Sequence, residues 1–87
     1  DHHTASAAMT AISEMIRQEL PRRVALDFGG LSFMDSSGIA LILRINRMVG
    51  LNRGEMWVER PNRQVLRVLE ASGIGKLVPI TAEMAKE

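Results

Sequence analysis

Apolar residues recur at helical spacing near the start of the chain: Ala5, Ala8, Met9, Ile12, Ile16 and Leu20, with Ser6, Thr10, Ser13, Glu14, Arg17 and Gln18 between them. The spacing predicts an amphipathic helix of about four turns. Asp1 or Thr4 can cap its start, and Pro21 ends it. Beyond Arg22 and Arg23, the run Val24-Ala25-Leu26-Asp27-Phe28 predicts a strand, broken by Gly29-Gly30. A second helical pattern runs from about Ser37 to Val49, with Gly50 as a natural stop. Its first half, Ile39-Ala40-Leu41-Ile42-Leu43, is apolar all round, and only Arg44 and Arg47 mark a wet side. Such a helix is ordinarily buried on more than one side. The competing reading leaves part of this face open to a partner.

Asn52-Arg53-Gly54 reads as a turn, and Glu55-Met56-Trp57-Val58-Glu59 as a strand with Met56 and Val58 on one face. Pro61 or Asn62 opens a third helix. Val65, Val68, Leu69 and Ser72 are its inward positions, and Arg63, Gln64, Arg67 and Glu70 face water. Gly73 suits the left-handed position after the last turn. Leu77-Val78-Pro79-Ile80 is read as a last strand, at an edge because Pro79 cannot donate to a ladder. Thr81 can cap a final turn, Ala82 to Lys86. Strands alternating with helices imply an α/β domain with a mainly parallel sheet and right-handed crossovers.

Eighty-seven residues make one domain, spanning 1–87. A chain of this size buries only about 60–65 % of its unfolded surface, so modest stability is expected. With two Phe, one Trp and no Tyr, aliphatic residues and six Met must fill the core. A net charge of +1 argues against broad electrostatic capture of nucleic acid or an anionic membrane. The absence of Cys excludes a disulfide framework and any thiolate metal site, and fits a reducing cytosol. No apolar run approaches the length of a membrane-spanning helix.

Enzymatic readings fare poorly. A nucleophile elbow wants Gly two positions before its Ser, but Met34 and Asp35 stand there before Ser36 and Ser37. Adjacent His2 and His3 lack the i, i+4 spacing that puts two metal ligands on one helical face. Gly73-Ile74-Gly75-Lys76 lacks the earlier Gly of a phosphate loop, and Leu77 stands where Ser or Thr should follow the Lys. Arg22, Arg23, Arg60, Arg63 and Arg67 are interleaved with Glu19, Glu59 and Glu70, which reads as a solvated mixed-charge surface. No cofactor is expected.

The most informative stretch lies where the first strand hands over to the second helix: Leu31-Ser32-Phe33-Met34-Asp35-Ser36-Ser37-Gly38-Ile39. In open α/β sheets, ligands and partners are met at the carboxyl ends of strands. The ordinary reading of Ser36 or Ser37 is as the helix N-cap. The seven residues from Phe33 to Ile39, however, resemble the signature of the STAS family, and within it the bacterial anti-sigma factor antagonists of the sporulation type. Asp1-His2-His3-Thr4-Ala5, Gly54-Glu55-Met56 and Ala71-Ser72-Gly73-Ile74 match the same subgroup. The match of the whole first run argues against a tag remnant.

The resemblance implies a regulator rather than an enzyme. Unphosphorylated protein is expected to bind an anti-sigma factor that is itself a serine kinase, freeing a sigma factor for transcription. The kinase, using ATP and magnesium on its own side, phosphorylates Ser37, the second Ser of the motif, and the complex dissociates. A serine phosphatase resets the cycle. The expected partner-binding residues are Asp35, Ser36, Ser37, Gly38 and Ile39, which match the motif directly, with Asp1 at an acidic position near that corner. Neither nucleic acid nor membrane is a direct partner, and a cytoplasmic location is expected. STAS domains usually carry one or two strands before the Asp-His-His position, at which this chain starts; either those N-terminal strands lie upstream or the protein lacks them, and the natural protein is expected to be longer. Two other readings stay open: a STAS regulatory domain of a larger anion transporter or stress-signalling scaffold, and a nucleotide-binding or small enzymatic α/β module.

Overall fold

The computed structural model describes residues 5–81. In chain order it has helix α1 (Ala5–Glu19), strand β1 (Arg23–Asp27), helix α2 (Ser36–Leu51), strand β2 (Glu55–Glu59), helix α3 (Arg63–Ser72) and a 3-10 turn (Ile74–Lys76). The proposed caps Asp1 and Thr4, and the final turn from Ala82 to Lys86, lie outside the described residues.

β1 and β2 pair in parallel, Arg23 opposite Glu55 through Asp27 opposite Glu59. The Phe28 amide extends the ladder by donating to the Glu59 carbonyl at 2.8 Å. Alternation follows the sequence pattern: Leu26, Met56 and Val58 are buried, while Arg23, Ala25 and Asp27 are exposed. The core gathers beneath this sheet from Ile42, Ile45 and Val49 of α2, Val65 and Leu69 of α3, and Met9 and Ile16 of α1. α1 rests mainly on α2. Ser13, read as a polar-face residue, is buried between Met9 and Ile16, because four-residue and three-residue steps keep all three on one helical stripe. Leu20, read as the last apolar position of that stripe, is exposed: it leaves the helix at φ 50° and turns outward.

The expected last strand over 77–80 shrinks to one parallel bridge between Val58 and Ile80. The amides of Leu77 and Val78 are already committed to the Ile74 carbonyl. What remains is the edge arrangement that proline permits: the Pro79 carbonyl accepts from Val58 and the Thr81 amide donates to Val58, each near 2.9 Å or shorter. Gly73 takes the left-handed position at φ 77°, as its place after α3 predicted. Ser72 lies outside the core, its hydroxyl donating to the Leu69 carbonyl at 2.8 Å.

α2 does not stop at Gly50. It runs to Leu51, and the left-handed residue after it is Arg53, at φ 61°. The Gly54 amide reaches back to the Val49 carbonyl at 2.8 Å and the Arg53 amide to Gly50 at 2.9 Å, closing a Schellman-type end. Asn52, at that end, donates its side-chain amide to the Leu20 carbonyl and so ties the ends of α1 and α2 together. Gly54 is required by close approach: a Cβ there would stand 2.8 Å from both the Arg22 carbonyl oxygen and Val49 Cγ1.

Among the described residues β1 pairs only with β2, so its other edge is open. Beside that edge lies a groove lined by Ile12, Met15 and Ile16 of α1 and by Pro21, Val24 and Leu26. No described helix is long and apolar enough to cross a membrane.

Candidate functional site

The loop from β1 to α2, residues 28–35, leaves the carboxyl end of the sheet, where the next crossover also begins. Parallel strands bring these two connections together. Asp27 closes β1 and Arg60 follows β2. The Arg60 guanidinium forks onto the Asp27 carboxylate, Nε to Oδ1 at 3.0 Å and Nη2 to Oδ2 at 2.9 Å. Asp27 Oδ1 also accepts from the Gly29 amide at 2.9 Å, which starts the loop's turn. The Arg60 hydrogen bond, helped by the Gly29 amide, holds the Asp27 carboxyl below its ordinary pKa.

Two further grips come from the start of α3. Asn62 caps that helix, its Oδ1 accepting from the Val65 amide at 2.8 Å, while its Nδ2 donates to the Leu31 carbonyl at 3.2 Å. Gln64 takes both backbone groups of Met34: Oε1 accepts from the Met34 amide at 3.0 Å and Nε2 donates to the Met34 carbonyl at 3.1 Å. The side chains of Phe28, Leu31 and Met34 are buried in the core. The loop is thus nailed down from within by apolar anchors and from the side by polar ones.

The chain then enters α2. The N-cap is Asp35, in extended conformation, its Oδ1 accepting from the Gly38 amide at 3.2 Å. This corrects the expectation that Ser36 or Ser37 caps the helix. Ser36 and Ser37 are instead the first and second helical residues, both exposed. Asp35 takes the cap because Met34 is held just before it and the helix can begin only afterwards. Met34 and Gly38 are buried and Ile39 half-buried, so the motif's exposed residues are Phe33, Asp35, Ser36 and Ser37. Asp1 lies outside the described residues.

Apolar surface borders this corner. Phe33 is 48 % exposed and Leu43 38 % exposed. Along α2, Ser36, Ala40, Leu43 and Arg47 follow one another at helical spacing, and all are exposed. The apolar first half of α2 is therefore divided: Ile42 is fully buried, and Ala40 and Leu43 face outward. Among the described residues, no group of three or more His, Cys, Asp and Glu is placed to hold a metal ion.

Sequence reasoning missed Asp27, Arg60 and Gln64 as parts of this corner, and it saw only the capping half of Asn62. One signal was available. Polar residues at the carboxyl ends of two adjacent parallel strands are brought close together, and Asp27, the last residue of β1, and Arg60, the first after β2, hold such positions.

The geometry is that of a strand-to-helix corner with an exposed serine in the first helical turn, fixed from below and from the side. Comparison with known proteins supplies the family. Residues 1–86 match the STAS domain, and the chain belongs to the STAS family. It is 36% identical over 80 residues to an anti-sigma F factor antagonist of Paenibacillus polymyxa, covering 92% of this chain and 68% of that protein. It is 33% identical over 86 residues to an anti-sigma F factor antagonist of Lysinibacillus sphaericus, covering 98% and 74%. Among solved structures, the anti-sigma factor antagonist SpoIIAA in its unphosphorylated form superposes with a TM-score of 0.72 at 32% identity, covering 95% of this chain and 72% of that one.

Proposed function

We propose that this protein is an anti-sigma factor antagonist, a partner-switching regulator rather than an enzyme. Unphosphorylated, it docks the Asp35–Ser37 corner and the outer stripe of α2 against an anti-sigma factor that is also a serine kinase. Phosphorylation of Ser37 by that kinase ends the complex, and a serine phosphatase restores the docking form. The cycle takes place in the cytosol and controls sigma-factor-dependent transcription without direct contact with nucleic acid.

The observation that carries this reading is the position of Ser37: exposed, second in α2, with the capping done by Asp35. A phosphate there adds about −1.5 to −2 charge. The positive end of the helix accommodates negative charge, a favourable term of about 0.3–1 kcal/mol, so the fold is kept. A partner closing over the corner meets that charge beside the Asp35 carboxylate. Burying it without a counter-charge weakens the complex by about 2–5 kcal/mol. Phe33 and Leu43 supply the apolar contact area that the unmodified form offers. The relatives named as anti-sigma F factor antagonists support the same assignment.

The test is to incubate the protein with its cognate serine kinase and ATP and to map the phosphate by mass spectrometry. Phosphate on Ser37, and none on the Ser37→Ala variant, is expected. Phosphate on Ser36, with Ser37→Ala still fully modified, overturns the assignment.

A further inference from the structure

We propose that Gln64 is a positioning residue for the docking corner: its amide, gripping both backbone groups of Met34, sets the extended geometry from which Asp35 caps α2 and Ser37 is presented. The docking half of this inference rests on the function proposed above; the geometric half does not.

Gln64 is the second residue of α3, on a different element from the corner it grips and 30 positions away in sequence. Its two hydrogen bonds, 3.0 and 3.1 Å, go to the N–H and the C=O of one residue. A neighbouring antiparallel strand engages a residue in the same way at a hydrogen-bonded pair. Gln64 therefore does for Met34 what a ladder partner does, at a point where no named strand runs. Met34 is restrained twice, since its side chain is only 1% exposed in the core below. The next residue, Asp35, must be extended to cap, and it sits at φ −141°, ψ −174°. The orientation of Ser37 is thus fixed through Met34 and Asp35, by a residue that need not touch the partner.

Substitutions at this position separate the grip from the fold. Gln64→Met keeps the length and helix-forming character of the side chain and abolishes both hydrogen bonds. Gln64→Glu keeps the acceptor for the Met34 amide but sets a carboxylate oxygen against the Met34 carbonyl. A negative charge in the first turn of α3 is favourable to that helix, so damage seen in Gln64→Glu does not come from a weakened α3.

Two measurements on the 87-residue protein decide the matter. The first is amide hydrogen exchange of Met34 and of the first turn of α2, with global unfolding measured in parallel. Gln64→Met is expected to lose roughly tenfold in local protection at Met34, the scale of one lost hydrogen bond, and Gln64→Glu less, because it keeps the acceptor for that amide, while both variants still unfold cooperatively. The second is phosphorylation kinetics with the cognate serine kinase. KM for the variant substrates is expected to rise about tenfold, with kcat within about twofold, since the serine is displaced but the kinase is unaltered. Unchanged protection at Met34 in both variants overturns the inference. Reduced protection with an unchanged KM overturns the docking half, leaving Gln64 as a loop staple only. If the parent protein is not phosphorylated at all, the function proposed above fails, the docking half falls with it, and the exchange measurement alone judges the grip.

Discussion

Removing the Asp35 side chain tests how the corner is built. In Asp35→Ala the Gly38 amide loses its acceptor, and the positive end of α2 loses a carboxylate. The bond is 3.2 Å long, at the long end of the N–H···O range, and Asp35 is exposed. The cap is accordingly assigned about 1 kcal/mol, mid-range for such residues. The dipole term adds about 0.3 kcal/mol at an exposed site. For a domain of this size each kcal/mol moves the midpoint by about 4–8 °C, so Asp35→Ala should unfold roughly 5–10 °C earlier. Asp35→Asn keeps a side-chain oxygen at the cap and should lose only the dipole part, about 1–3 °C. Ser36→Ala and Ser37→Ala remove exposed hydroxyls that do no capping, and each should stay within about 0.5 kcal/mol of the parent. Thermal unfolding by circular dichroism, with urea titration at constant m-value, measures all four. If Ser37→Ala costs a full cap while Asp35→Ala is neutral, the helix begins two residues later, at Gly38, and the reasoning about Ser37 fails with it.

Three further outcomes follow from the same structure. Arg53→Gly should raise stability by about 0.5–1 kcal/mol in a urea titration, because it relieves a left-handed residue at the end of α2; a loss of stability would contradict the Schellman-type end. The Asp27 carboxyl titrates below its ordinary value of 3.8 when folded, so its stabilising contribution is full above that value and is lost as pH falls through the folded pKa; the parent should therefore lose stability more steeply than Asp27→Asn below about pH 4, and parallel acid limbs would count against the Arg60 fork. An N-terminal extension supplying a strand for the open edge of β1 should fill the groove beside Val24 and Leu26 and raise the thermal midpoint; equal midpoints, with a monomeric short form, would contradict that expectation.

The parts of the fold written as local periodicity were legible. α1, β1 and β2 lie within a residue or two of their predicted bounds, since buried Met9, Ile16, Leu26, Met56 and Val58 repeat at helical or strand spacing. α3 was framed by its own punctuation, Asn62 before it and Gly73 after it. Misreadings arose where competing local signals had to be settled by distant contacts. Asp35-Ser36-Ser37 offers three capping residues in succession, and the grip of Gln64 on Met34 across 30 positions selects the first. Gly50 looked like a helix stop, yet α2 continues because its end is closed by Arg53 and Gly54 against Gly50 and Val49, with Asn52 anchored on Leu20. The strand expected over 77–80 had the composition but not the free amides. The motif itself needed no structure to be seen. What surrounds it, Asp27 with Arg60 and Asn62 with Leu31, could not be read from spacing, because these pairs are 33 and 31 positions apart.

The central claim is that a phosphate on Ser37 ends partner binding while the fold survives. It is tested most directly by calorimetric titration of the cognate serine kinase with unmodified and Ser37-phosphorylated protein, alongside denaturant unfolding of each form. An uncompensated charge at this corner predicts an affinity lower by about 2–5 kcal/mol, roughly thirty-fold to several thousand-fold, with unfolding free energies within about 1 kcal/mol of each other. Equal affinities for the two forms would contradict the switch. Weaker binding that merely accompanies unfolding of the phosphorylated form would contradict the placement of Ser37 at a helix start that tolerates its charge.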